Sequence, residues 1–248
     1  MTKKLMALLL AVLMAVSLLP MPALADGATT IKSLSEIDST NGGSYVLDKS
    51  VQNIELSEPL TVSSNVTIEL TGQTVTLQLP EGGNYADSWV FRVTENGSLT
   101  LKGSGTVKVP DKASGIIVDS KASLSILGEV SISGGSNGVK ALSGMNNMTV
   151  SVNTLGTIES ENGINLSVAE NATLKITAGT IIGKENAISC TNLLKDIIVE
   201  NGKVYIGGTA EANADQLAKA PAGAKLVFDN GQPPVQTISS AKRTSETE

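Results

Sequence analysis

Short segments that alternate polar and apolar residues recur along this chain. Thr67-Ile68-Glu69-Leu70, Ser98-Leu99-Thr100-Leu101, Ser123-Leu124-Ser125-Ile126, Thr149-Val150-Ser151-Val152 and Thr173-Leu174-Lys175-Ile176 all show the period of two that marks a strand with one buried face. Leu99, Leu124, Val150 and Leu174 lie 25, 26 and 24 residues apart, and Ile197 with Val199 continues the row. A second row follows within each unit: Thr74-Val75-Thr76-Leu77, Thr106-Val107-Lys108-Val109, Glu129-Val130-Ser131-Ile132, Thr157-Ile158, Thr180-Ile181 and Lys203-Val204-Tyr205-Ile206. A third contains Phe91-Arg92-Val93, Ile116-Ile117-Val118, Val139-Lys140-Ala141, Ile164-Asn165-Leu166 and Ile188-Ser189-Cys190.

Three strand types at one constant period predict a chain that coils. Each turn gives one strand to each of three sheets, and equivalent strands stack about 4.8 Å apart. The expected fold is all-β, a right-handed parallel β-helix of about six to seven coils, the hand following the general crossover preference. A sandwich would pair consecutive strands antiparallel and leave the resemblance of every third strand unexplained. Leucine-rich repeats need a Leu-rich consensus with helical backs, which is missing. Gly72, Gly105, Gly128, Gly156, Gly179 and Gly202 stand just before second-row strands, where the chain must turn.

Asn65, Asn96, Asn147 and Asn171 each precede a first-row strand by two residues, with Lys121 in the same place once. The pattern predicts a stacked turn position whose Asn side chains bond to backbone and to one another. Glycosylation at the same Asn-x-Ser/Thr matches is the weaker alternative, because such a repeat generates them automatically. Residues 26–60 read as an N-terminal cap with an irregular first coil, and 61–230 as the β-helix. Within the latter, Ala210 to Ala222 reads as a short capping helix, and Ala224 to Phe228 as a closing strand. Residues 231–248, which begin with Pro233-Pro234 and stay polar, read as a linker or disordered tail.

Composition sharpens the picture. Aromatic residues are only 2% of the chain against 41% hydrophobic, so the core must be built from Val, Ile, Leu and Ala. Lys3 and Lys4, the apolar run Leu5 to Leu19 and then Ala23-Leu24-Ala25 describe a signal peptide cleaved after Ala25. The expectation is therefore a secreted or cell-surface protein with no transmembrane segment after cleavage, since the run is too short to span a bilayer. The net charge of −6 falls to −8 once those two lysines leave, which argues against nucleic acid. Cys190 is the single cysteine, so no internal disulfide forms, and its place in the third row marks it as a small buried group.

The run from Leu60 to Leu77, continued by Phe91-Arg92-Val93 and Asn96 to Leu101, resembles the opening coils of pectin-lyase-like β-helix domains in secreted and surface proteins of Firmicutes. The likeness spans roughly residues 30 to 210 and rests on repeat motifs, so it implies fold and location more than activity. Enzymes of this fold imply a calcium held by stacked carboxylates with an Arg as base, or a His. The chain has no His, and the outward positions stacked on Arg92 are Ile117, Lys140, Asn165 and Ser189. Asp87, Asp111 and Asp119 are placed at different points of the coil. The expectation is a non-catalytic module for adhesion, display or spacing, with no cofactor; Ca²⁺ at turn carboxylates lacks a supporting motif. Its expected partner is an extracellular glycan or a cell-surface protein. The alternative is a carbohydrate-binding or lyase-like domain using Tyr85, Trp89 and Arg92, although alternation with Phe91 and Val93 favours Trp89 as an inward packing residue.

Overall fold

The computed structural model describes residues 27–79 and 83–190, together with the strand backbones of 196–199, 203–206, 226–228 and 236–238. The architecture is a β-solenoid of about six parallel coils. Ahead of the coils, β1 (Thr29–Ile31) lies beside β2 (Gly43–Leu47), which with β3 (Asn53–Leu56) and β4 (Leu60–Val62) makes the first coil. The next three coils are β5 (Asn65–Leu77) with β6 (Trp89–Val93), β7 (Ser98–Val109) with β8 (Ser114–Val118), and β9 (Ser123–Gly134) with β10 (Asn137–Ala141). In the last two full coils a single long strand serves all three sheets: β11 (Thr149–Leu166) and β12 (Thr173–Cys190). Then β13 (Asp196–Val199) and β14 (Lys203–Ile206) open a further turn, and β15 (Leu226–Phe228) lies parallel on β14. The polar stretch expected as a linker carries β16 (Gln236–Ile238), antiparallel to β15. The expected signal peptide and the Ala210 to Ala222 helix lie outside the described residues.

Register turns the sequence rows into interior columns. On the first sheet Val66, Leu99, Leu124, Val150, Leu174 and Ile197 follow one another strand by strand. On the second, Ile54, Val75, Val107, Ile132, Ile158, Ile181 and Val204 do the same. The third column runs Leu60, Phe91, Ile116, Val139, Ile164 and Ile188. Nearly all of these side chains with described burial are closed to solvent, and they form one continuous core. β-Branched and Leu side chains suit this geometry, because each packs on a like neighbour one strand away. Burying each contributes about 1.5–3 kcal/mol, shared between successive coils.

The corner between the first and second sheets is where the strands run on through a bend. Gly103 turns there with φ +86°, and Gly128 follows it one coil later with φ +73°. A Cβ on Gly103 would meet the Leu70 carbonyl oxygen, and one on Gly128 the Gly103 carbonyl oxygen. The turn glycine of this coil is thus Gly103; Gly105, expected from its place before the second-row strand, has ordinary φ. In the fifth coil Thr154 pairs with Gly128 and is buried. Its hydroxyl donates to Val130 O at 2.8 Å and Gly128 O at 3.2 Å, and accepts from Gly156 N at 3.0 Å. In the second coil the buried Gln73 does the equivalent, its amide donating to Asp48 O and accepting from Thr71 N. Side chains therefore replace the ladder bonds that the bend removes.

At the N-terminal end a one-turn 3₁₀ helix, Leu34–Glu36, covers the interior with Leu34 and is fixed by a capping box between Ser33 and Glu36. Tyr45 Oη accepts from Asp38 N and donates to Gly42 O, which ties this cap to the first coil. Hydrogen bonds from Asn41 and Thr40 hold the Asp38 carboxyl below its usual pKa, and bonds from Ser50 do the same for Asp48.

Candidate functional site

Trp89 and Arg92 lie on β6 of the third sheet and Tyr85 in the loop that leads into it, and the path of the chain there decides which of them can touch a ligand. Residues 83–88 lead into β6 through a turn in which Ser88 N donates to Tyr85 O at 3.1 Å and Ser88 Oγ to Asn84 O at 2.8 Å. Tyr85 Oη accepts from Leu79 N at 3.0 Å, and its half-buried ring packs against the core. Tyr85 therefore pins the two ends of the loop and is not an exposed platform.

Alternation fails at the start of β6. Val90 and Phe91 are both fully buried members of the core, Arg92 is half-exposed and Val93 is buried. Two consecutive inward residues put Trp89 and Arg92 on the same outward side. The guanidinium carbon of Arg92 lies 5.2 Å from the centroid of the Trp89 ring, and Trp89 is outside the core cluster. This corrects the expectation that Trp89 packs inward with Phe91 and Val93. The cause is repeated one coil later, where Gly115 and Ile116 take the two inward places. A Cβ on Gly115 would sit 3.0 Å from Ile132 Cγ2 and 3.1 Å from Val109 Cγ2, inside the corner with the second sheet.

Arg92 is also not without an acid. Its Nε donates to Asp119 Oδ2 at 3.0 Å and its Nη2 lies 2.9 Å from the same oxygen. Asp119 follows β8 directly, and its backbone N donates to Val93 O at 2.9 Å. A position that looks like a turn elsewhere in the coil is therefore one strand away from Arg92, on the diagonal. Ile117, directly opposite Arg92 in the register, is only 2% exposed although it belongs to the outward side. The result is a small compact cluster of indole, guanidinium, carboxylate and a shielded isoleucine. Two of its polar atoms, Trp89 Nε1 and Asp119 Oδ1, are buried with no hydrogen-bond partner among the described residues.

The expected asparagine column divides in two. Asn96, Lys121, Asn147 and Asn171 all take positive φ, between 52° and 64°, which explains why Asn recurs there. Their side chains are exposed, and Lys121 instead reaches Glu95 Oε1 at 2.7 Å. Asn65 is not in that column: it opens β5 and pairs with Ser98. Inter-coil asparagine bonds occur on the third sheet, where Asn186 Nδ2 donates to Asn162 Oδ1 at 2.8 Å and Asn165 Nδ2 to Asn137 Oδ1 at 3.0 Å. The signal for this missed ladder is the dipeptide Asn137-Gly138, repeated as Asn162-Gly163 one coil on.

Among the described residues no three His, Cys, Asp or Glu side chains gather where they could hold a metal ion. No protein-family model, no curated protein and no solved structure matches the chain.

Proposed function

We propose that this chain is a non-catalytic extracellular β-helix that serves as a rigid module for adhesion, display or spacing at a cell surface. The observation that carries the reading is the outward face of the first sheet. Thr67, Thr100, Ser125 and Ser151 stand in register on successive coils, beside a second column of Ser98, Ser123, Thr149 and Thr173. A hydroxyl-rich face, bordered by Lys175 and by the Glu69–Lys102 ion pair, suits broad contact with a polysaccharide or protein layer rather than turnover in a cleft. The signal-peptide pattern of residues 1–25 supports export, and the likeness of residues 60–101 to pectin-lyase-like domains of Firmicutes supports a surface role. Pairing of Arg92 with Asp119 neutralises the one arginine on the coils, the group a lyase would use as base.

The mature chain, residues 26–248, is expected to sediment with purified bacterial cell walls and with polysaccharide-coated beads. Placing three carboxylates on this face, with Thr100→Glu, Ser125→Glu and Ser151→Glu together, should abolish that retention while leaving the circular dichroism unchanged. Unsaturated or newly reducing products from pectin or alginate incubated with calcium and the parent chain would overturn the non-catalytic reading.

A further inference from the structure

The third sheet holds a feature that a purely structural rod does not need. Trp89 Nε1, a donor, and Asp119 Oδ1, a carboxylate acceptor, are both buried and find no hydrogen-bond partner among the described residues. They belong to the two side chains that one guanidinium touches, Arg92 lying 5.2 Å from the indole centroid and 2.9 Å from Asp119 Oδ2. Buried polar groups are nearly always satisfied, and one left bare forfeits its hydration without return. Asp119 is 6% exposed, so this loss is nearly complete. A carboxylate facing a guanidinium ordinarily shares both oxygens; here Nε and Nη2 both converge on Oδ2, which leaves Oδ1 uncommitted.

We infer that Trp89, Arg92 and Asp119 form a binding site for a neutral, polyhydroxylated ligand, a saccharide unit of an extracellular glycan. The chemistry selects that class. An anion would face the bare oxygen of Asp119, whose charge already neutralises Arg92. A cation would face the guanidinium and could not accept from the indole N–H. A hydroxyl group both donates and accepts, so hydroxyls admitted by a movement of Arg92 satisfy Oδ1 and Nε1–H, both of which are closed to solvent in the unliganded arrangement. The indole face receives the apolar C–H face of a sugar ring once the Arg92 side chain, which is 28% exposed and long enough to move, turns off it. Binding thus exchanges a cation–π contact for ring stacking and adds two hydrogen bonds that no described residue supplies. Tyr85 takes no part, since its hydroxyl is committed to Leu79 N.

The site deepens the surface-module reading and can fail without it. The chain has a single tryptophan, so its fluorescence reports this site alone. The mature chain is titrated with hexasaccharides of cellulose, laminarin, mannan and chitin, and with trigalacturonate as the acidic comparator. At least one neutral oligosaccharide should shift the emission saturably, while trigalacturonate leaves it unchanged. Calorimetry of Trp89→Phe, which keeps one aromatic ring but removes the indole N–H together with the fused five-membered ring, should show about tenfold weaker binding or more, and Asp119→Asn a comparable loss. Tyr85→Phe should bind as the parent does. An unresponsive emission across the neutral panel overturns the site, as does equal affinity of the Trp89→Phe and Asp119→Asn variants with the parent. If the panel is silent while the parent chain still sediments with cell walls, the site falls and the surface-module reading stands.

Discussion

Two glycines show how one residue type serves two different needs. Gly72 and Gly103 both have positive φ, +110° and +86°, at corners of the same pair of sheets. Space around a Cβ at Gly72 is open to 4 Å, whereas at Gly103 the Leu70 carbonyl of the preceding coil occupies it. Gly72→Ala should cost about 1–2 kcal/mol for the left-handed backbone alone. Gly103→Ala adds a collision between backbones of two coils and should lower the urea midpoint clearly further; equal midpoints would refute the stacked-corner account. The same scale explains Asn96, Asn147 and Asn171, whose exposed side chains matter less than their tolerance of positive φ. The sequence places these three, with Lys121 as a fourth, at one turn position, but the interaction expected of the asparagines is the wrong one, because recurrence of Asn does not say whether backbone or side chain is being selected.

Strands were legible through alternation wherever they were regular. The segments around Leu99, Leu124, Val150 and Leu174 need no more than a period of two to be placed face inward. Reading failed where the chain bends within a continuous strand. Val90 and Phe91 both point in, so parity counted from Phe91 puts Trp89 on the wrong side. Asp119 escaped notice as the partner of Arg92 because it lies 27 residues away, on the diagonal of the next coil rather than directly opposite. Bends also create demands that only side chains meet. Thr154→Val keeps the shape of the buried residue but strands Gly128 O, Val130 O and Gly156 N. A loss of about 1–3 kcal/mol is expected, with Thr154→Ser restoring most of it in urea unfolding; a neutral Thr154→Val would show that the bend is satisfied otherwise.

At the scale of the molecule, stability passes from coil to coil, because each layer touches only its neighbours. Leu124 sits in the middle of its column, fully buried between Leu99 and Val150. Leu124→Ala should cost about 2–5 kcal/mol, and hydrogen exchange should loosen most in β7, β9 and β11, with less effect at β2. Uniform loosening from β2 to β12 would instead mean that the rod unfolds as one indivisible unit.

The sequence by itself determined the solenoid: its period, its three sheets and the identity of the residues that fill the columns. Periodic burial is a local property, and each repeat states it again. Tertiary structure alone decided which corner glycine turns, which side Trp89 faces and which acid meets Arg92. Those outcomes depend on how adjacent coils shift in register at the bends, and no single repeat carries that information.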